Sequence, residues 1–379
     1  MMILRLSDLA WRNLVHDKVR LGVTLTGIVF AVVLIVVELG LFLGFTTTTS
    51  SLIDRSGADL WITAPRVPYI EQGVPFSERK LYTVLGAEGV AAATKYIVRF
   101  SQWQRPDGRQ ESVQVVGFEP GRQLGGPWNI VQGDAADLKM PDNVFIDEVY
   151  KPKLGVTTLG QVVEINGRRA RVAGFTSGIR SFTTSPYVFT SFKNAQEYSR
   201  VPEDQTVFIL VKAAPGVGIE DLRQRLARRV RDVSVRTNAE FSRMTQVYWM
   251  FTTGAGVAVL LAALLGLVVG VVVVAQTIYA TTMDHLREYG TLKAMGATNA
   301  YLYRVIVQQA VVSAVIGYTL AMAISHFVVE ASQEGGAAIL LPAWMAAGML
   351  GLTLLMCVGA ALVSIHKVTR LDPAIVFKG

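Results

Sequence analysis

The chain reads as a membrane α-helical protein with four transmembrane helices and one extracytoplasmic α+β domain inserted after the first. Three observations predict this. Four apolar runs, at 21–45, 254–280, 305–329 and 344–366, each reach the roughly 20 residues an α-helix needs to cross a bilayer. One long polar segment, 46–250, separates the first run from the second and mixes strand-like and helix-like patterns. Lysine and arginine gather in short segments at one end of the runs, the mark of the cytoplasmic side.

Composition agrees. Of 379 residues, 51% are hydrophobic and 17% are charged, below the roughly 25% charged residues of soluble domains. The net charge of +7 follows the loops, so it points to membrane topology rather than to nucleic acid. Cys357 is the only cysteine, and no intrachain disulfide can form. The first apolar run is too long for a signal-peptide core and no small-residue cleavage site follows it, which predicts a retained anchor.

Residues 1–20 place Ile3, Leu6, Leu9, Leu14 and Val15 at mostly helical spacing, with Arg5, Asp8, Arg12, Asp17 and Lys18 between them. They predict a cytoplasmic amphipathic helix lying on the membrane surface, with Trp11 at headgroup level and Arg12, Asn13, Lys18 and Arg20 on its polar side. A simple extension of the first span is the alternative. That span, 21–45, holds one charge, Glu38. A carboxylate within the bilayer faces a protein interior or a wet cavity, which makes Glu38 a possible ligand contact. It also stands about 27 Å up a straight helix from Arg20, where it can reach the outer interface.

Within 46–250, strands are predicted at 59–63, 96–104, 112–118, 162–165, 170–175, 187–190 and 207–212. A strand running into a helix is predicted over 143–154, and an amphipathic helix over 218–231. Asn166-Gly167 joins two strands as a tight hairpin, because both residues tolerate positive φ. In the second span, Gly266 and Gly270 put small residues four apart, a spacing that admits a close helix neighbour or reflects ordinary glycine use.

Arg5, Arg12, Lys18 and Arg20 precede the first span, Arg287, Lys293 and Arg304 lie between the second and third, and Lys367, Arg370 and Lys378 follow the fourth. The loop between the third and fourth spans carries Glu330 and Glu334 and no basic residue. Both termini, the 281–304 connection and the tail 367–379 are therefore placed inside, and the large domain outside. The 281–304 connection spends about 20 residues where a tight loop needs only a few. Leu286, Tyr289, Leu292 and Met295 share a helical face there, and Gly296 stands where a helix would stop. This predicts a docking surface for a cytoplasmic partner. No Gly-Lys pair occurs anywhere in the sequence, so no phosphate-cradling loop of the P-loop kind is present. The four histidines lack partners at metal-ligand spacing, and no catalytic constellation is legible.

The stretch from His285 to Thr298, HLREYGTLKAMGAT, resembles the signature of FtsX-like permeases, the membrane subunits of MacB-type ABC transporters. The match falls on Arg287, Glu288, Gly290, Leu292, Lys293, Ala294, Met295, Gly296, Ala297 and Thr298, with Tyr289 replacing the usual Ile or Phe. Leu9 to Arg20 resembles the family's N-terminal helix, Phe145 to Phe175 its periplasmic core, and Leu371-Asp-Pro-Ala its tail. Asp17 to Arg20 and Ala58 to Ile62 are similar to DevC-like permeases. The resemblance implies a MacB-type (type VII) ABC permease fold in a bacterial cytoplasmic (inner) membrane. It implies a homodimer in which each chain docks a separate ABC ATPase subunit through the coupling helix and the N-terminal helix. ATP and Mg²⁺ then belong to that partner, and this chain is neither an enzyme nor the holder of a cofactor or metal. It implies mechanotransmission to the outer domain, with a membrane-fusion adaptor and an outer-membrane duct, and export of a lipid, glycolipid or other amphiphile. A haem-type efflux permease is a variant, with Glu38 as ligand contact. The alternative is an FtsX-like signalling transmitter that activates a cell-wall hydrolase.

Overall fold

A computed structural model describes residues 18–183, 185–334 and 339–369. The predicted surface helix with Trp11, Arg12 and Asn13 lies outside the described residues. The chain forms two units, one drawn from Met1–Leu43, Ala258–Ser332 and Ile339–Gly379, the other from Gly44–Val257 and Gln333–Ala338.

In chain order, helix α1 (Lys18–Thr49) and the short α2 (Ser51–Asp54) lead to β1 (Leu60–Thr63), β2 (Phe76–Ser77), α3 (Lys80–Leu85), β3 (Val90–Gln104), β4 (Gln110–Phe118) and β5 (Ile130–Gln132). Then come β6 (Asn143–Asp147), α4 (Lys151–Leu154), β7 (Val162–Ile165), β8 (Arg168–Thr176), β9 (Tyr187–Ser191) and α5 (Phe192–Tyr198). The outer domain closes with β10 (Gln205–Thr206), β11 (Phe208–Ala213), α6 (Ile219–Arg229), β12 (Ser234–Thr237) and α7 (Asn238–Val247), followed by a π-helical turn at Tyr248–Thr252. The chain ends in α8 (Ala255–Asp284), α9 (Leu286–Ala294), α10 (Asn299–Glu334) and α11 (Ala343–Thr369).

Among the described residues four helices are long and apolar enough to span a membrane, namely α1, α8, α10 and α11. Apolar residues surround α1 and α8 on every side, which suits lipid rather than water. The second span starts after Gly254, whose φ of +76° breaks the helix, and runs on to Asp284 rather than stopping at Ala280. The third begins at Asn299, six residues before the predicted start, and carries Glu330 and Glu334 in its last turns rather than in a loop. No glycine or proline falls between Gly317 and Gly335 to stop it.

In the membrane unit α1 is central, with Ile28, Ala31, Val32, Ile35 and Val36 all 0% exposed. Small residues allow this. A Cβ at Gly317 of α10 would stand 2.5 Å from Ile28 Cγ2, and one at Gly270 of α8 would stand 2.8 Å from Ile35 Cδ1. Gly270 is therefore a packing glycine. Polar links add to the contacts: Thr24 Oγ1 lies 2.9 Å from Thr281 Oγ1, and Tyr318 Oη donates to the Ala346 carbonyl at 2.8 Å.

The outer domain is built on β3, 15 residues long. Its first half pairs with β11, which continues through β1 to β12. Its second half pairs with both β4 and β7. From β4 the ladder runs through β9 and β6 to β8, and β8 pairs with β7, so six strands close into a ring. Closure removes the free edges of these six strands, and the sheet as a whole ends at β12 and β5. The Asn166-Gly167 hairpin (φ +50° and +76°) sits between β7 and β8. Trp103 plugs the ring, fully buried with Nε1 donating to the Leu154 carbonyl at 3.1 Å. Trp61 packs edge-on against Tyr96 and Phe208 and tilted against Phe241 in the open part.

Trp61→Ala should destabilise the outer domain by about 3–5 kcal/mol. Faster amide hydrogen exchange across β1, β11 and β12, with the ring strands less affected, is the expected readout.

Candidate functional site

The predicted cytoplasmic element is a short helix held by a capping turn at its C-terminal end. It covers nine residues, Leu286–Ala294, rather than a run of about 20, because α8 and α10 extend towards it from either side. At its C-terminus the Ala297 N–H donates to the Leu292 carbonyl and the Gly296 N–H to the Lys293 carbonyl, both at 3.0 Å. This is a Schellman turn, which needs a left-handed residue, and Gly296 supplies it with φ +95°. Thr298 follows at once as the N-cap of α10, its Oγ1 accepting from the Tyr301 N–H at 3.3 Å. The Met-Gly-Ala-Thr part of the signature is thus a stop and a start, turning one helix into the next within Met295–Thr298.

Tyr289 fixes the body of the helix. It is 2% exposed, packs in the bundle core, and its hydroxyl donates to Gln309 Oε1 of α10 at 3.0 Å. Burial raises its pKa. The hydroxyl that distinguishes Tyr289 from Ile or Phe is therefore a tie between α9 and α10. Leu292 packs beside it, half-buried. Met295 does not share this face: it is the C-cap and 71% exposed, because the turn at Gly296 carries it off the helical path. The exposed face consists of Glu288, Thr291, Ala294 and Met295. Glu288 Oε2 lies 3.1 Å from His285 Nδ1, the residue before the helix. Arg287 lies in the first turn, Gly290 and Lys293 are half-buried, and Gly296 is exposed at the turn with Ala297 half-buried after it. Lys18 and Arg20 lie in the first turn of α1, Lys18 exposed.

Glu38 is half-buried. A Cβ at Gly266 would stand 3.1 Å from its Cγ, so Gly266 leaves room for the Glu38 stem against α8. Among the described residues no hydrogen bond or ion pair reaches its carboxylate.

A second cluster lies within the unit that holds the inserted domain. Tyr69 stacks on Tyr248 at 4.0 Å between centroids, Trp249 meets Tyr69 and Phe182 edge-on, and Phe182 meets Phe45 of α1 at 5.2 Å. Tyr248 and Trp249 form the π-helical turn, a feature frequent at functional sites. Beneath the rings Glu71 is 8% exposed and accepts from Trp249 Nε1 at 3.3 Å, while its Oε1 has no partner among the described residues. Burial pushes the Glu71 pKa up to about 7, opposed by its hydrogen bonds to the Glu71 backbone and to Trp249. The sequence reading missed this cluster, whose members are brought together only by the fold.

Comparison with known proteins places this geometry in a family. The model for MacB-like periplasmic core domains matches residues 21–229, and that for the FtsX-like permease C-terminal region matches residues 260–373. An uncharacterised ABC transporter permease of Mycobacterium bovis is 25% identical over 388 residues, covering 100% of both chains. Another from Mycobacterium tuberculosis is 25% identical over 393 residues, again covering 100% of both. Among solved structures, the periplasmic region of MacB from Actinobacillus actinomycetemcomitans aligns with 50% of this chain and 94% of its own, at 15% identity and a TM-score of 0.39.

Gly296→Ala forces a Cβ into the left-handed region and should loosen the α9–α10 turn at a cost of about 1 kcal/mol, whereas Gly296→Asn, more tolerant of that region, should cost less. Hydrogen exchange at Gly296 and Ala297 reads the difference. Glu71 has a folded pKa above its unfolded one, so the folded chain keeps a proton that the unfolded chain releases. Outer-domain stability should therefore be greatest below about pH 4.5 as far as this group is concerned, and fall as the pH rises to about 7. Glu71→Gln should flatten that part of the stability–pH curve in thermal melts.

Proposed function

Because the chain belongs to the family of MacB-like, FtsX-like ABC transporter permeases, we propose that α9 is the element on which a separate ATPase subunit pushes. The observation that carries this is the construction of α9. Its inner side is tied to α10 through Tyr289, Gln309 and the Gly296 turn, while Glu288, Thr291 and Met295 face outward. A load on the outer face then passes to α10 rather than being absorbed by a loop. An exposed methionine beside a carboxylate suits docking into a groove with a basic rim.

The chain is a multi-pass membrane protein and a permease subunit. In this reading both termini are cytoplasmic and the 46–250 domain lies outside. Two copies form the permease, and two ATPase subunits close beneath them. The motion travels through the spans to the outer domains, which act on a lipid, glycolipid or other amphiphile together with a membrane-fusion adaptor and an outer-membrane duct.

Co-purification of the tagged chain in mild detergent tests the reading. An ATPase together with a long adaptor is expected. An ATPase with a cell-wall hydrolase and no adaptor would move the function to signalling, and no ATPase would refute the proposal. Met295→Ala should weaken ATPase association about tenfold. Glu288→Ala should lower coupling of ATP hydrolysis to function, with expression unchanged. Normal association and activity in both variants would remove α9 from the interface.

A further inference from the structure

The outer domain holds a cleft of about 520 Å³ between the segment after α2, the loop that follows β4, and the 3₁₀ turn at Ala135–Lys139. Its cations are Arg55, Arg122 and Lys139, and none of its lining residues is acidic. Arg122 is partly engaged, with Nη1 donating to the Ala93 carbonyl at 2.7 Å and Nε 3.4 Å from Glu119 Oε2. Glu119 itself accepts from Thr94 Oγ1 at 2.7 Å. The side chains of Arg55 and Lys139 are exposed and make no hydrogen bond or ion pair among the described residues. Arg55 stands over the Trp128 ring at 5.8 Å. Phe118 and Leu124 give the cleft an apolar wall.

The loop that shapes the cleft is pinned. The Gly125 N–H donates to the Ser56 carbonyl at 2.8 Å, which ties it to the segment carrying Arg55. Gly121 has φ +105°, and a Cβ there would stand 3.8 Å from Lys139 Cε. Two unneutralised cations, one a planar guanidinium suited to two-point binding of phosphate, thus flank a concavity with an aromatic side.

The position of the cleft in the chain narrows the ligand. Helix α1 has 32 residues, about 48 Å of helix against a hydrocarbon core of roughly 30 Å. Its last residues, Thr46 to Thr49, and the serines after them are polar, as befits the headgroup layer. Arg55 follows Thr49 by six residues, at most about 20 Å of extended chain. We propose that this cleft binds the phosphate group of an anionic membrane lipid, gripped by Arg55 and Lys139 with Arg122 behind them and with Trp128 and Phe118 against the glycerol end. It gives the outer domain its own hold on the bilayer surface. The assignment stands apart from the export reading, since binding requires neither the ATPase nor an adaptor.

The test uses the full chain in nanodiscs of phosphatidylcholine with a minor fraction of phosphatidylglycerol bearing a photoreactive, mass-tagged headgroup. Labelled peptides are mapped by mass spectrometry. Label is expected at 119–139 and around Arg55, and excess soluble glycerol phosphate should not displace it. The double variant Arg55→Ala with Lys139→Ala should lose labelling about tenfold. The pair Arg55→Lys with Lys139→Arg should retain most of it, which separates charge from folding. Three results would overturn the proposal: undiminished labelling of the alanine variant, complete displacement by glycerol phosphate, which would assign the cleft to soluble phosphate esters, or complete displacement by an acidic peptide, which would assign it to a protein partner.

Discussion

The membrane unit depends on how closely its helices approach α1. In lipid, apolar side chains gain nothing from leaving water, so association rests on packing contact and a few polar links. The approach of α10 at Gly317 to Ile28, and of α8 at Gly270 to Ile35, leaves no space for a Cβ. A larger residue at either place must push a spanning helix away from the centre. At the same seam Gly266 makes room for the stem of Glu38.

A tightly packed bundle can carry force only if its handle is stiff. In the proposed function the handle is α9, and its stiffness comes from local chemistry of a few residues. Gly296 takes the one backbone conformation that closes the Schellman turn, Thr298 caps the next helix, and Tyr289 reaches Gln309. None of these groups needs to touch a partner. They position Glu288, Thr291 and Met295 on the exposed side, the side on which the proposed function puts the ATPase. At the other end of α8, the π-helical turn and Gly254 break the helix before it enters the outer domain, and the rings of Tyr69, Trp249 and Phe182 pack around that break.

Features governed by nearby residues were legible in the sequence. The β7–β8 hairpin could be read to the residue at β7 because Asn166-Gly167 dictates its own turn, and the spans followed from hydropathy. A helix between the second and third spans was legible, but its length was overestimated, since nothing local tells a spanning helix from a surface helix that continues it after one bent residue. The ring closed by β3 was invisible because its pairings join residues up to about 73 positions apart, as Gln114 to Tyr187. The strand β12 and helix α7 were also missed, although Thr237 and Glu240 form a capping box, a signal that the sequence displays. Glu71 could not have been found, since its aromatic cover comes from residues between Phe45 and Trp249.

The proposed function requires the exposed face of α9 to touch the ATPase. Cysteine cross-linking tests this directly, because Cys357, the native cysteine, is buried in α11. Met295→Cys, in the full chain co-expressed with the ATPase that purifies with it, should cross-link to that subunit. Leu302→Cys, at a position 0% exposed in α10, should not. Failure of Met295→Cys to cross-link in a complex that still hydrolyses ATP and still functions would contradict the central claim and place the interface elsewhere on the chain.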